Sequence, residues 1–242
     1  MLHNIHGVLF DFGDTLMYPR VPWPPVHEQA GRALGEYICA GGIELDCASF
    51  SGEFRERLDQ YFLERERSMV ETSSMGVLRN LLTEKGHPGI NEKFLRAALD
   101  HYYSITQQNW YLEEDALTTL TELQSHGLRI GLVSNASDSH DVYTLVDKFG
   151  IRSYFDFILV SADCGYRKPH PQIFEQALAN WNYLPDEIAM VGDRLDADIS
   201  GARPLGIFAI WIKRRARTSG STPVKPDATV QALSEIPPLL LG

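Results

Sequence analysis

Five short stretches of this 242-residue chain are almost continuously apolar. They cover residues 5–10, 128–133, 157–160, 188–191 and 207–212. Strands that are buried on both faces of a parallel sheet have such runs, whereas half-exposed strands alternate apolar and polar residues. Helical patterns of ordinary length separate the later runs, which is typical of βαβ units with right-handed crossovers. The pattern therefore predicts an α/β fold with a doubly wound parallel sheet.

The first connection between these runs is far longer than a crossover requires. A βαβ crossover needs only about a dozen residues, and a structureless loop longer than roughly 15 residues is uncommon in a compact domain. The interval instead contains four helical patterns, at residues 27–39, 48–69, 74–85 and 91–110. We therefore expect residues 18–112 to form an inserted helical domain, while residues 1–17 and 113–242 together form the core that contains the sheet.

Four prolines lie at the entrance to the insertion, within residues 18–25. Proline limits φ and removes a hydrogen-bond donor, so this stretch is either a stiff surface loop or a hinge strand between two domains. We favour the hinge, because the stretch lies where the chain leaves one domain for another.

Composition and charge exclude several classes of protein. Apolar residues make up 44% and charged residues 22% of the chain, which are ordinary values for a globular protein. The net charge of −10 disfavours a nucleic-acid partner, and no apolar stretch approaches the roughly 18 residues of a membrane span. Residues 1–10 lack the charged start of a signal peptide. We therefore expect a soluble, cytoplasmic protein without a membrane partner.

The cysteines and one basic run carry weaker signals. Cys39, Cys47 and Cys164 are too few and too unpatterned to predict a disulfide framework or a zinc site. The basic run at residues 213–217 is expected to be a solvated loop, with attraction of an anionic substrate as the alternative.

Polar residues and one glycine follow four of the five predicted strands at the point where each strand ends. They are Asp11, Gly13 and Thr15 after the first strand, Ser134 and Asn135 after the second, Lys168 after the third, and Asp193 and Asp198 after the fourth. Each group alone is explained by turn formation or helix capping. In an open parallel sheet, however, ligands bind at the edge where the carboxyl ends of the strands meet. We therefore expect these residues to surround a single site.

These residue types suit the transfer of an anionic group through a covalent intermediate. An aspartate is able to attack phosphorus directly and so divide one difficult step into two. Because a carboxylate and a phosphate repel each other, such a site needs a cation. An acidic cluster without histidine or cysteine favours Mg²⁺. A serine hydroxyl, backbone N–H groups and one lysine would hold the remaining phosphate oxygens.

In their order and over nearly the whole chain, the four segments resemble the signature motifs of the haloacid dehalogenase superfamily. The resemblance implies a Rossmann-like core, a helical C1-type cap over residues 18–112 and Mg²⁺-dependent hydrolysis of a small phosphorylated molecule. It also implies roles for the matching residues. Asp11 would be the nucleophile, Ser134 the phosphate-binding hydroxyl and Lys168 the charge-neutralising and substrate-binding lysine. The Mg²⁺ ligands would be Asp11, Asp193, Asp198 and the backbone carbonyl of Gly13, and Thr15 and Asn135 would be further substrate contacts.

Gly13 is a departure from the phosphatases of this superfamily, which usually carry a second aspartate two residues after the nucleophile as general acid and base. General acid–base assistance is worth roughly 10²–10⁴-fold in rate. Its loss predicts a slow enzyme or one limited to good leaving groups. Delivery of the proton by Asp14 is the weaker alternative, because its side chain is expected to point elsewhere.

Three other functions stay open from the sequence alone. The main alternative is a catalytically weak or inactive pseudo-hydrolase, which would bind a phosphorylated ligand or a protein partner without turnover. A dehalogenase is less favoured, because dehalogenases use no Mg²⁺ and the acidic residues would have no purpose. A phosphonatase requires a cap lysine for a Schiff base, and Lys85 and Lys93 both lie in polar helical patterns typical of a solvated surface.

Overall fold

The computed structural model describes residues 4–216 and 224–242 of the chain. The chain divides into two compact units, one comprising Met1–Tyr18 and Leu112–Gly242 and the other Pro19–Tyr111. Within the described ranges, no helix combines the length and the apolar character needed to cross a membrane.

The first unit is built around a six-stranded sheet in the order β5–β4–β1–β6–β7–β8. Its strands are β1 (Gly7–Phe10), β4 (Arg129–Ser134), β5 (Phe157–Val160), β6 (Ile188–Gly192), β7 (Phe208–Ile212) and β8 (Ala228–Val230). All neighbouring strands are parallel, and Gly7 of β1 lies opposite Arg129 of β4 and Ile188 of β6. The predicted parallel α/β sheet is confirmed, and β8 is an additional edge strand that the sequence pattern did not predict.

The strand order reverses at β1, because the chain adds β4 and β5 on one side and later adds β6, β7 and β8 on the other. In sheets of this kind, ligands bind outside the carboxyl ends of the strands at the point of reversal. The segments that follow β1, β4 and β6 therefore emerge side by side at one edge of the sheet.

Helices flank this sheet and bury its apolar side chains. They are α5 (Ala116–Ser125), α6 (Ser139–Lys148), α7 (Ser161–Cys164), α8 (Pro171–Leu178), α9 (Ser200–Ala202) and α10 (Ile236–Leu241). All four residues of β1 and all five of β6 are buried. Burial on both faces explains why the strands appear in the sequence as continuous apolar runs.

The second unit consists of four helices around its own apolar core. These are α1 (Trp23–Ala40), α2 (Cys47–Ser68), α3 (Ser74–Glu84) and α4 (Glu92–Thr106). Leu34, Phe54, Leu78 and Leu99 contribute one buried core side chain from each helix. The four predicted helices are present, and α4 ends at Thr106, earlier than expected, because Gln107–Asn109 form a 3₁₀ turn that leads into a short strand at Trp110.

The two segments that connect the units pair with each other as a small sheet of β2 (Met17–Pro19) and β3 (Trp110–Leu112). The proline-rich stretch therefore contains the end of β2 and the start of α1. Pro24 and Pro25 lie in the first turn of α1, where the missing N–H groups cost no helical hydrogen bond.

Cys39 and Cys47 form a disulfide, which corrects the expectation that three cysteines are too few and too unpatterned for disulfide pairing. Cys39 lies in the last turn of α1, and Cys47 is the first residue of α2. The turn between the two helices brings the thiols together. Pairing of this kind depends on three-dimensional proximity and is not readable from cysteine spacing alone.

Candidate active site

Asp11 lies directly after β1, at the reversal point of the sheet. Its backbone N–H donates to the Val191 carbonyl at 2.9 Å, so the parallel ladder extends one residue beyond the strand. The chain then turns sharply, because the N–H groups of Leu16 and Met17 both donate to the Phe12 carbonyl. The ladder and the turn together hold Asp11 in a buried position.

Lys168 reaches Asp11 from the loop between α7 and α8. Its Nζ donates to Asp11 Oδ1 at 2.6 Å and to the Val133 carbonyl at 2.7 Å, and it lies 2.7 Å from Asp198 Oδ1. Burial alone would lower the pKa of this ammonium. The carboxylates of Asp11 and Asp198 outweigh burial and raise the pKa. Lys168 is therefore a buried permanent cation between two acidic side chains.

Asn135 holds the backbone of Lys168 from both sides. Its Oδ1 accepts from the Lys168 N–H at 2.8 Å, and its Nδ2 donates to the Lys168 carbonyl at 2.9 Å. The segment after β4 is thereby joined to the segment that carries the lysine. Both polar groups of Asn135 are engaged in positioning Lys168, so this contact is the role that the geometry gives it.

Asp193 and Asp198 follow β6, the strand on the other side of β1. Asp198 lies in a π-helical turn, and its Oδ2 accepts from the Arg194 backbone N–H at 2.9 Å. A Cβ atom at Gly192 would lie 2.2 Å from the Asp198 Cγ atom, so only glycine leaves room for this carboxylate. The importance of Gly192 was not predicted from the sequence, although a glycine between a buried apolar run and an aspartate was a usable signal.

Three carboxylates meet at this edge of the sheet. Asp11, Asp193 and Asp198 are all buried, and one oxygen of each lies within 4.8 Å of the others. Burial, together with the carboxylates of Asp11 and Asp198, raises the pKa of Asp193 to about 9. Burial likewise raises the pKa of Asp198 to about 6, against the opposing effect of the Lys168 ammonium. The raised pKa values mean that full ionisation of the cluster is unfavourable without a cation, and a bound cation would relieve that cost.

The donor set fits Mg²⁺ better than a softer metal. All of its side-chain donors are carboxylate oxygens, which hard divalent cations prefer, and neither histidine nor cysteine is a member of the cluster. Once all three carboxyl groups are ionised, their charge and that of the Lys168 ammonium leave a net negative charge that a divalent cation neutralises.

Ser134 and Thr15 were predicted to contact the substrate. Ser134 is the buried last residue of β4, and Thr15 lies in the turn after Asp11. Among the described residues, the buried Thr15 Oγ1 has no hydrogen-bond partner. A buried hydroxyl without a partner is unfavourable, which favours a functional use for it.

Gly13 and Asp14 occupy the turn between Asp11 and β2. Gly13 forms an isolated bridge with Met17, and Asp14 has a left-handed backbone conformation with φ of 59°. Aspartate is one of the few non-glycine residues that adopt this conformation at modest cost. The Asp14 carboxylate also contributes to the raised pKa of Asp193, after burial and the two closer carboxylates. Asp14 therefore lies within electrostatic range of the acidic cluster.

The basic loop after β7 has a different role from the one expected. Arg214 donates to both oxygens of Asp115 at 2.6 and 2.7 Å and to Glu113 at 2.8 Å, and Arg215 donates to Glu113 at 2.7 Å. Glu113 is buried. These arginines are partnered within the protein, which corrects the expectation of a solvated loop for this part of the run. Arg217 lies outside the described residues.

The fold and this arrangement define a Rossmann-like α/β hydrolase with an acidic site at the carboxyl edge of its sheet. A model of the haloacid dehalogenase-like hydrolases matches residues 5–206, and the chain belongs to that family.

Relatives named as phosphatases match most of the chain. This chain is 30% identical to a phosphoserine phosphatase of Thermus thermophilus over 219 aligned residues. The alignment covers 90% of this chain and 78% of the relative. The chain is also 30% identical over 207 residues to a ribulose-1,5-bisphosphate 5-phosphatase of Halopiger xanaduensis, covering 84% and 83%. A solved 2-haloacid dehalogenase from Pseudomonas syringae has the same fold, with a TM-score of 0.68, 23% identity and 98% of each chain covered.

Proposed function

We propose that this protein is a Mg²⁺-dependent phosphatase that hydrolyses a small phosphorylated molecule through an aspartyl-phosphate on Asp11. The observation that supports this most is the single buried cluster of Asp11, Lys168, Asp193 and Asp198. The two curated relatives described above are both named as phosphatases of small phosphorylated compounds. In this proposal the helical unit, predicted as residues 18–112, is the cap that selects the substrate.

Asp11 acts as the nucleophile in this mechanism. Lys168 fixes its Oδ1 at 2.6 Å and so orients the carboxylate. A carboxylate oxygen forms a bond to phosphorus while the bond to the leaving oxygen breaks, which leaves the phosphoryl group on Asp11. Water then attacks phosphorus, the acyl phosphate bond breaks, and inorganic phosphate and the free carboxylate are released. Two easier displacements replace one difficult displacement.

Mg²⁺ would be held by Asp11 and Asp193, by Asp198 and by the backbone carbonyl of Gly13. When bound, it supplies positive charge that offsets the repulsion between a carboxylate and a phosphate. The Lys168 ammonium contributes to the same end, and the hydroxyl groups of Ser134 and Thr15 are the proposed donors to the phosphate oxygens.

The leaving group determines how fast this site works. Gly13 has no side chain with which to protonate a departing oxygen, so the site favours esters whose leaving group is stable as an anion. General acid assistance is worth roughly 10²–10⁴-fold. We therefore expect aryl phosphates to be hydrolysed faster than alkyl phosphates by a ratio larger than in relatives that carry aspartate at this position.

The test compares wild type, Asp11→Asn and Asp147→Asn with an activated aryl phosphate, with and without Mg²⁺. Asp147 is an exposed aspartate of the same unit that pairs with Arg152, so its variant controls for the loss of an acidic side chain. Loss of the nucleophile is expected to lower kcat by about 10³-fold or more. Turnover by Asp11→Asn at the wild-type rate, or turnover that is indifferent to Mg²⁺, contradicts the nucleophile assignment.

Gly13 also favours a second function, which is binding of a phosphorylated ligand without turnover. A protein of this kind would show no turnover of any phosphate ester. It would still bind inorganic phosphate in the presence of Mg²⁺, and Lys168→Met would abolish that binding because it removes the buried cation. Release of phosphate by wild type, lost in Asp11→Asn, excludes this alternative.

A further inference from the structure

The peptide group between Asp193 and Arg194 is held at both of its polar ends. The Asp193 carbonyl accepts a hydrogen bond from the Trp211 indole Nε1–H at 2.8 Å. The N–H of the same peptide group, on Arg194, donates to Asp198 Oδ2 at 2.9 Å. A peptide group is planar and rigid, so these two contacts together set its orientation. The indole is thus connected through a single rigid plane to the Asp198 carboxylate and to the Cα atom that carries the Asp193 side chain.

Trp211 is itself well fixed in the fold. It lies in β7 directly opposite Gly192, the last residue of β6. Its half-buried ring packs against the apolar core of the sheet, and the Lys213 ammonium lies 4.7 Å from the ring centroid. A tryptophan in this position has little freedom to rotate. Its N–H therefore donates to the loop after β6 from a fixed position.

We propose that Trp211 is a positioning residue that fixes the Asp193 and Asp198 carboxylates relative to each other for binding of a divalent cation. The inference rests on the proposed function, because it assumes that this cluster holds Mg²⁺. Without the indole N–H the peptide plane is free to tilt. The Arg194 N–H that donates to Asp198 Oδ2 is then no longer held in one direction. The carboxylates then have to be ordered by the cation itself, which lowers the affinity of the site.

Trp181 offers a matched control within the same unit. Its ring also packs against the core of the sheet, and its Nε1–H donates to Asp156 Oδ2 at 3.0 Å. This indole N–H therefore has the same chemistry as that of Trp211, but its acceptor is a side chain outside the acidic cluster. Trp181→Phe and Trp211→Phe each remove one indole N–H and keep an aromatic ring.

The experiment measures Mg²⁺ binding to the purified full chain by isothermal titration calorimetry. Loss of a hydrogen bond that orients metal ligands typically costs about 10–100-fold in affinity, and that is the increase in Mg²⁺ dissociation constant expected for Trp211→Phe. Trp181→Phe is expected to stay within about twofold of wild type, because its partner lies outside the cluster. Turnover of an aryl phosphate by Trp211→Phe should recover as Mg²⁺ is raised, since the substitution leaves Asp11 and Lys168 in place.

The outcomes separate the inference from the proposed function. If wild type binds no Mg²⁺, both are wrong. If wild type binds Mg²⁺ and Trp211→Phe binds it equally well, or if both variants are weakened alike, only the inference is wrong. Should Trp211→Phe fail to fold, the same titration is made with β-(3-benzothienyl)alanine at position 211, which has sulfur in place of the N–H and keeps the shape of the ring. That protein is expected to lose Mg²⁺ affinity to the same extent, and wild-type affinity would refute the role of the N–H.

Discussion

Asp193→Asn is expected to stabilise the metal-free protein, although it removes a residue of the proposed metal site. Burial beside the carboxylates of Asp11 and Asp198 raises the pKa of Asp193 from its usual 3.8 to about 9. Below pH 3.8 the carboxyl group is protonated in both the folded and the unfolded state. Between these two pKa values the folded state holds more protons than the unfolded state, so the free energy of unfolding falls as the pH rises. Asparagine has nearly the same shape and carries no charge. It therefore removes this pH-dependent fall in the free energy of unfolding.

The size of the effect follows from the width of the pH window. One group contributes about 1.4 kcal/mol per pH unit within the window. At pH 8 the accumulated loss is on the order of 2–5 kcal/mol once partial solvent screening is allowed for, and at pH 5 it is on the order of 1 kcal/mol. The gain in stability from Asp193→Asn is therefore expected to be clearly larger at pH 8 than at pH 5.

Urea unfolding followed by circular dichroism, with a chelator present, measures this gain. Titrating groups outside the acidic cluster affect both proteins alike, so the difference between variant and wild type reports on position 193 and the carboxylates coupled to it. Asp147→Asn serves as the control, because the hydrogen bond from Arg152 lowers the pKa of that exposed carboxyl and so predicts no gain. An Asp193→Asn protein that is less stable than wild type at pH 8, or a gain that is equal at both pH values, refutes the reasoning.

Added Mg²⁺ should reduce or reverse the stability advantage of Asp193→Asn at pH 8. A ligand present at 100 times its dissociation constant stabilises the folded state by about 2.7 kcal/mol. Wild type should gain this amount, whereas Asp193→Asn should gain little.

Three further predictions concern other parts of the molecule. Gly13→Asp should raise kcat on an alkyl phosphate by about 10²-fold or more, because it adds a general acid. It should change kcat on an aryl phosphate much less. Equal effects on both esters in a steady-state assay would mean that proton transfer does not limit turnover. Gly192→Ala should weaken Mg²⁺ binding in calorimetry, because the new Cβ would lie 2.2 Å from the Asp198 Cγ and displace that carboxylate; unchanged affinity would contradict the assigned role of Asp198. Replacing both Cys39 and Cys47 by serine should lower the free energy of unfolding by about 2–3 kcal/mol in urea titrations, since the disulfide closes a short loop. The same double variant should keep the Mg²⁺ affinity of wild type. A loss of affinity would show that this disulfide affects the acidic cluster.

The sheet was predictable because its signal is local. Each strand of the centre is buried on both faces, so the continuous apolar runs marked the strands to within two residues at either end. The edge strand β8 has three residues, of which only Val230 is buried, and it therefore has no such run. It forms because Ile210 and its neighbours in β7 offer a free edge for pairing, which is a property of the assembled sheet.

The candidate site was predictable to the extent that parallel strands have their carboxyl ends at one edge. That rule alone gathers Asp11, Lys168 and the acidic pair without any knowledge of distances. The supporting contacts are of another kind. Trp211 lies 18 residues beyond Asp193, and Arg214 bonds to Asp115 across 99 residues. No local sequence pattern predicts such pairs, because each residue alone is an ordinary strand or loop residue.

Chemical trapping of the phosphoryl group tests the central claim most directly. Wild type is mixed with an aryl phosphate and Mg²⁺, quenched in acid and treated with borohydride, which reduces an acyl phosphate on aspartate to homoserine. Peptide mass spectrometry then locates the modified residue. Homoserine at position 11, dependent on both substrate and Mg²⁺, is the predicted result. Active turnover without any modification at position 11, or with the modification at another aspartate, would contradict Asp11 as the nucleophile.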